Sequence, residues 1–86
     1  MFREVLLDAR ELEHPEPFEL GKKALDNLQN SEYFVMRHRM IPKMLTNSCS
    51  KDGFAYMVKP IENGVDVFFY KYDNEELKAH LSSICK

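Results

Sequence analysis

Four short runs of apolar and β-branched side chains, separated by polar connections, predict four β-strands. The runs cover residues 5–7, 33–37, 54–59 and 65–72. Between the last two, the sequence Glu62-Asn63-Gly64 predicts a hairpin, because Asn-Gly readily adopts the positive φ of a tight turn. The fourth run is apolar at both sets of alternating positions, so we expect something to cover part of the second face of the sheet.

Segments with apolar positions at helical spacing lie between and after these strands. Pro15 and Pro17 mark the start of a helix over residues 17–29, because a proline in the first turn removes no helical hydrogen bond. Pro42 opens a second, short helix. We expect this short helix to direct three side chains inward, namely Met44, Leu45 and Cys49.

A third helix follows the last strand, beginning at the capping pattern Asp73-x-x-Glu76. Leu77, Leu81 and Ile84 then form an apolar stripe along it. This stripe should fold back on the second face of its own sheet or pack on another copy to form a homodimer. The resulting order, β-α-β-α-β-β plus a C-terminal helix, predicts an α/β (α+β) fold with a mixed four-stranded sheet.

Composition narrows the class of protein. With 86 residues, of which 44% are hydrophobic and 30% charged, the chain has the size and composition of one folded domain, residues 1–86. The net charge of −2 gives no strong positive field, so we expect no nucleic-acid partner. Cys49 and Cys85 fit a reducing compartment. No signal peptide and no membrane helix are visible in the sequence, so we expect a cytoplasmic protein that does not bind membranes.

The segment 7–17 combines Leu7-Asp8 at a strand end, Leu12, and Pro15-Glu16-Pro17 at a helix start. This pattern resembles the signature of the TusA/SirA-like sulfur-carrier superfamily, in which Cys-Pro-x-Pro begins a helix. The resemblance extends over about residues 4–72 and is closest to a divergent branch of unknown function that lacks the cysteine. It implies a two-layer sandwich with two helices on one face of the sheet, to which the helix at about residues 73–85 is an addition.

The sequence departs from the family pattern where the family carries its chemistry. His14 stands at the position of the reactive cysteine, and Glu11 stands at the position of a glycine. Because imidazole cannot form a persulfide, sulfur relay through position 14 is excluded. Three roles remain open for His14: a surface residue, a hydrogen-bonding residue in a ligand site at the positive end of the helix, or a metal ligand together with His38 or Cys49.

Basic residues cluster after the second strand. In a crossover pair the carboxyl ends of two parallel strands lie at the same edge, where α/β proteins tend to bind ligands. We therefore expect one site for a small anion or an acidic partner, formed by Arg10, His14, Glu16, Arg37, His38, Arg39 and Lys43. The alternative is a solvated loop whose charges only maintain solubility, with Asp8 paired to Arg10.

The sequence contains no nucleophile elbow, no phosphate-binding glycine loop and no HExxH pattern. We therefore expect a non-catalytic binding or adaptor module without a cofactor, which holds a small anion or a protein partner near His14. The alternative is a protein of sulfur or redox metabolism that uses Cys49 or a metal bound by His14 and His38.

Overall fold

A computed structural model describes residues 2–85 as a mixed sheet with helices on both faces. The elements in chain order are β1 (Arg3–Asp8), α1 (Glu16–Asp26), β2 (Glu32–His38), α2 (Lys43–Cys49), β3 (Phe54–Ile61), β4 (Gly64–Lys71) and α3 (Glu75–Ile84). A 3-10 turn, Ser50–Asp52, joins α2 to β3. This order confirms the predicted β-α-β-α-β-β arrangement with an additional C-terminal helix.

The four strands form one sheet in the order β1-β2-β4-β3. Strands β1 and β2 are parallel, with Asp8 beside Arg37 at their carboxyl ends. Strands β2 and β3 both pair with β4 in the antiparallel sense. The sheet is therefore mixed, as predicted, and the carboxyl ends of β1 and β2 lie at the same edge.

Helices α1 and α2 cover the first face of the sheet. Their apolar side chains meet alternate residues of β2 and β4 in one core, which includes Leu25, Phe34, Met36, Leu45, Cys49, Val67 and Phe69. Gly21 lets α1 approach α2 closely, because a Cβ at this position would lie 2.5 Å from Leu45 Cδ2. This half of the molecule is the two-layer arrangement expected from the sequence.

Helix α3 folds back on the second face of its own sheet. Leu77 and Leu81 are fully buried there, against a second core of Tyr33, Val35, Phe68 and Tyr70. The helix is capped by Asn74, whose Oδ1 accepts a hydrogen bond from the Leu77 amide at 3.0 Å. The predicted cap at Asp73 is therefore wrong by one residue, because α3 begins at Glu75 rather than earlier.

Two other local expectations differ from the structure. Helix α1 ends at Asp26 rather than near residue 29, since the Asn27 side chain donates to the Lys23 carbonyl at 3.0 Å and ends the helix. Met44 does not point inward as predicted: it is 53% exposed, while Leu45 and Cys49 are fully buried. A helix of seven residues with one face on the sheet leaves its other side chains in solvent.

Candidate functional site

An open groove of about 530 Å³ lies between the start of α1 and the segment that joins β2 to α2. Its lining comprises His14, Pro17, Phe18, His38, Met40, Ile41, Pro42, Lys43, Met44 and Leu45. Most of these side chains are apolar. Three are polar, His14, His38 and Lys43, and all three can donate hydrogen bonds. No carboxylate lines the groove. The groove therefore combines apolar walls with a few polar groups, which is typical of ligand sites.

Several apolar side chains of the groove are open to solvent. Met40 is 65% exposed, Ile41 is 40% exposed and Met44 is 53% exposed. They belong to one short segment of the chain around Pro42, so they form a continuous surface rather than scattered single residues. Contiguous exposed apolar surface of this kind marks interaction sites in soluble proteins.

His38 is the one histidine of the groove that is buried. It ends β2 with only 9% of its surface exposed. Its Nδ1 accepts hydrogen bonds from the backbone amides of Arg39, at 2.8 Å, and Met40, at 3.5 Å. Burial, and secondarily the charge of Arg39, lowers the pKa of His38. At neutral pH the ring is therefore uncharged, and its proton is on Nε2 because Nδ1 is the acceptor.

The Nε2 atom of His38 makes no hydrogen bond within residues 2–85. Every fully buried side-chain nitrogen or oxygen in this part of the chain does have a partner, so Nε2 retains contact with solvent. Because His38 lines the groove and its Nε2–H is unpaired, this N–H is a donor for a ligand bound there.

Two exposed basic residues stand at the rim of the groove. His14 lies two residues before the start of α1, and Lys43 is the first residue of α2. Lys43 has no ion-pair partner in the described part of the chain, whereas five other basic side chains are paired. The rim therefore offers a cation that is not neutralised locally.

The start of α1 offers little to a bare anion. The amide of Glu16 donates to the Glu13 carbonyl at 2.9 Å, and the amide of Glu19 donates to the Pro15 carbonyl at 3.1 Å. Pro17 has no N–H, so of the first-turn amides only that of Phe18 is left. Glu16 and Glu19 also place two carboxylates in this turn, where they already complement the helix dipole. The amide cluster expected beside His14 is thus largely occupied.

Arg10 and Arg39 lie at a separate, polar depression bordered also by Asp8, Glu11 and Asn63. Arg10 holds Asp8 through two side-chain hydrogen bonds of 2.9 and 2.8 Å, as the sequence suggested. The hydrogen bond from Arg10 lowers the pKa of Asp8 to about 2. Arg39 Nη2 donates to the carbonyl of Leu12 at 3.4 Å, so it ties down the loop before α1.

Arg37 lies on the other face of the sheet from His38, because neighbouring residues of a strand point to opposite faces. Its guanidinium forms two hydrogen bonds, of 2.9 and 3.1 Å, to the buried carboxylate of Asp66 on β4. Arg37 thus neutralises the buried carboxylate of Asp66 and lies away from the groove. This separation follows directly from the pleat of β2, which the sequence argument did not apply to consecutive residues.

The two cysteines bear on the alternative role in sulfur chemistry. Cys49 is fully buried, its Sγ donates to the Thr46 carbonyl at 3.2 Å, and burial raises the pKa of the thiol. Cys85 is half-buried beside the second face, where burial also raises its pKa.

Within residues 2–85, no three His, Cys, Asp or Glu side chains are close enough to hold a metal ion together. None of the helices described here is long and apolar enough to cross a membrane.

Of the seven predicted site residues, three line the groove: His14, His38 and Lys43. Arg10 and Arg39 border the polar depression, Arg37 is on the opposite face, and Glu16 occupies the exposed first position of α1. The apolar walls of the groove were not predicted from the sequence. The apolar run Met40-Ile41-Pro42 between basic residues was the available signal, because an exposed connection normally carries fewer large apolar side chains.

Comparison with known proteins supplied no relative. No family model, no curated protein and no solved structure gives a significant match to the chain.

Proposed function

We propose that the chain is a non-catalytic binding module with the sulfur-carrier fold, and that its groove beside His14 holds a small anion with an apolar body. The observation that carries the proposal is the lining of the groove, in which His14, His38 and Lys43 are set among apolar side chains without a carboxylate among them. A site with donors and a lysine cation but no carboxylate of its own complements a ligand that supplies a negatively charged acceptor.

The exposure of the walls supports an apolar ligand body. Met40 and Met44 are more than half exposed, and burying them against a ligand would remove apolar surface from water. Methionine side chains also adapt their shape to what they contact, because their three side-chain torsions are flexible. A bare inorganic anion would use none of this surface, and the occupied amides at the start of α1 do not favour it.

The alternative role in sulfur or redox chemistry has weaker support. A sulfur carrier works through an accessible thiolate, which a lowered pKa favours. Cys49 has neither property, because it is buried and its pKa is raised. The side chain at position 14 is an imidazole, which takes no persulfide. The retained helix start therefore fits binding better than sulfur transfer.

Fluorescence of cis-parinarate, an unbranched polyene carboxylate, tests the proposal. We expect saturable binding of one dye per folded chain and a loss of affinity of at least tenfold in Met44→Glu, because the new carboxylate repels the anion and wets the wall. The control is Leu20→Glu, which introduces the same charge at an apolar site on α1 that is 41% exposed and outside the groove lining. Equal losses in both variants, or no binding to the parent, would overturn the proposal.

A further inference from the structure

We propose that the groove is specific for a monocarboxylate on an unbranched apolar chain, whose two carboxylate oxygens are taken by His38 Nε2–H and the Lys43 ammonium. This inference rests on the proposed function and names the chemical class of its ligand. It depends on three properties of the groove: a buried donor, a single cation and the apolar walls.

The buried donor sets the requirement for an acceptor. His38 is 9% exposed, and its Nδ1 is held by the Arg39 amide at 2.8 Å, which fixes both the ring orientation and the tautomer. Its Nε2–H has no partner in residues 2–85 and keeps contact with solvent, and His38 lines the groove. A ligand that displaces this solvent must supply an acceptor, because an unpaired buried donor is costly.

The number of polar groups selects a carboxylate rather than a larger anion. His38 offers one N–H, and the exposed Lys43 offers a compact ammonium. A carboxylate has two oxygens, so each can meet one of these groups. A phosphate or sulfonate has three oxygens, and the third would lie against apolar walls such as Ile41 without a hydrogen bond. His14 is the remaining polar side chain of the lining, and it is exposed to solvent.

The remaining lining selects the chain. Phe18, Ile41, Met44 and Leu45 present rings, methyls and a thioether, none of which forms strong hydrogen bonds. The volume of about 530 Å³ lies within the range of small-ligand sites. An unbranched chain fits an open groove with a flexible methionine wall, because it can follow the surface and bury one methylene after another.

Calorimetric titration with decanoate, octanoate, decanol, decyl phosphate and the peptide Leu-Leu-Leu tests the ligand class, with each amphiphile kept below its micellar concentration. We expect decanoate to bind at least tenfold more tightly than decanol, because only the carboxylate uses both polar groups. Octanoate should bind more weakly than decanoate by up to about fourfold for each missing methylene. Decyl phosphate should bind more weakly than decanoate.

Two variants locate the head group. Lys43→Gln keeps the length of the side chain and its exposed position but removes the charge, and we expect it to lower decanoate affinity about tenfold while leaving decanol affinity unchanged. His38→Asn keeps an acceptor for the Arg39 amide and removes Nε2–H. We expect it, too, to lower the affinity for decanoate and to leave the affinity for decanol unchanged. Lys51→Gln is the control, because Lys51 is an exposed cation outside the groove. Should His38→Asn fail to fold, Lys43→Gln carries the test alone.

Each outcome decides a specific step. Equal affinities for decanoate and decanol, or unchanged decanoate affinity in Lys43→Gln, overturn the carboxylate assignment. Tighter binding of decyl phosphate overturns the choice of head group, and tighter binding of the peptide Leu-Leu-Leu moves the source of the carboxylate to a protein terminus and overturns the free-acid assignment. If Met44→Glu still abolishes dye binding in any of these cases, the proposed function stands and only this inference falls.

Discussion

The two faces of the sheet solve the same packing problem in different ways. On the second face, α3 buries Leu77 and Leu81 completely and closes the core over Tyr33 and Val35. On the first face, α1 and α2 bury an equally closed core but leave a groove at their edge with Met40 and other apolar side chains in solvent. Of the large apolar side chains that are exposed in residues 2–85, three lie together in this groove, Met40, Ile41 and Met44, whereas the others are exposed elsewhere, namely Leu6, Leu20, Tyr56 and Tyr72. The groove is therefore the concave surface on which exposed apolar side chains cluster.

Charges follow the same division. On the second face, the register places Asp8, Arg37, Asp66 and Lys59 in one row across all four strands, with alternating sign. Neighbouring opposite charges on adjacent strands attract each other, and Arg37 with Asp66 forms a two-hydrogen-bond pair. Lys59, at the end of this row, and Lys43, at the groove, have no ion-pair partner among the residues described. The Arg37–Asp66 pair therefore belongs to the fold, whereas the Lys43 ammonium lines a groove and is available to a ligand.

The largest expected effect concerns the closed core of the second face. We expect Leu77→Ala to lower the free energy of unfolding by about 3 kcal/mol, because it removes a fully buried side chain and leaves a cavity. Urea denaturation measures this change. The matched variant Met44→Ala, in the groove, should change stability by less than about 0.5 kcal/mol. Similar losses in both variants would remove the distinction between a structural face and a binding face.

A smaller effect is expected from the charge row. Arg37→Met leaves the buried carboxylate of Asp66 without its hydrogen bonds, so we expect a loss of stability that is clearly smaller than that of Leu77→Ala, because the pair is partly exposed. Arg10→Met breaks the Asp8 pair, in which both side chains are 40% exposed or more, and should change little. Chemical denaturation at low and high salt compares the two, and a larger loss in Arg10→Met contradicts this interpretation.

The cap of α3 gives a third test of the closed face. Asn74→Ala removes the acceptor for the Leu77 amide and should cost about 1 kcal/mol. Asp73→Ala, one residue earlier, should be nearly neutral. Thermal unfolding of both variants measures the difference. The reverse result would restore the cap predicted from the sequence and place the start of α3 at Asp73.

The smallest expected effect is the pH dependence from His38. Because its pKa is lowered in the folded chain, the unfolded chain binds a proton first as pH falls, so stability is lost below the unfolded value of about 6.5. Burial is the main cause of the lowered pKa, and the charge of Arg39 acts in the same direction. Melting temperatures at several pH values between 7 and 5 should fall less steeply in His38→Asn than in the parent. An equal slope would mean that His38 does not titrate differently on folding. Asp8 affects only the range below about pH 4, since its pKa is lowered to about 2.

Most of the fold was predictable from local patterns. The four apolar runs, the Asn63-Gly64 turn and the stripe on α3 gave the element order, because alternation and helical spacing report directly on what each element buries. The doubly apolar fourth run indicated that the second face is covered, which α3 confirms. The ends of the helices were less predictable. The end of α1 and the start of α3 each depend on one side-chain hydrogen bond, made by Asn27 and Asn74, and neighbouring polar residues in the sequence are equally plausible candidates for such a bond.

The site was only partly predictable. Because β1 and β2 are parallel, His38 at the end of β2 lies at the same edge of the sheet as the segment that leads from β1 into α1. His38 therefore lines the same groove as His14. Arg37 was grouped with His38 because the argument followed proximity in sequence, whereas the pleat of β2 separates them. The apolar walls depend on how segment 40–45 packs against the start of α1, a tertiary contact with no local signature beyond the exposed apolar run itself.

The most direct test of the account is a set of intermolecular nuclear Overhauser effects between decanoate and the methyl groups of the protein. The account predicts contacts from the decanoate chain to Ile41 Cδ1 and to the methionine methyls of Met40 and Met44. Contacts to Leu6, which is 49% exposed on the other face, in place of these would contradict it.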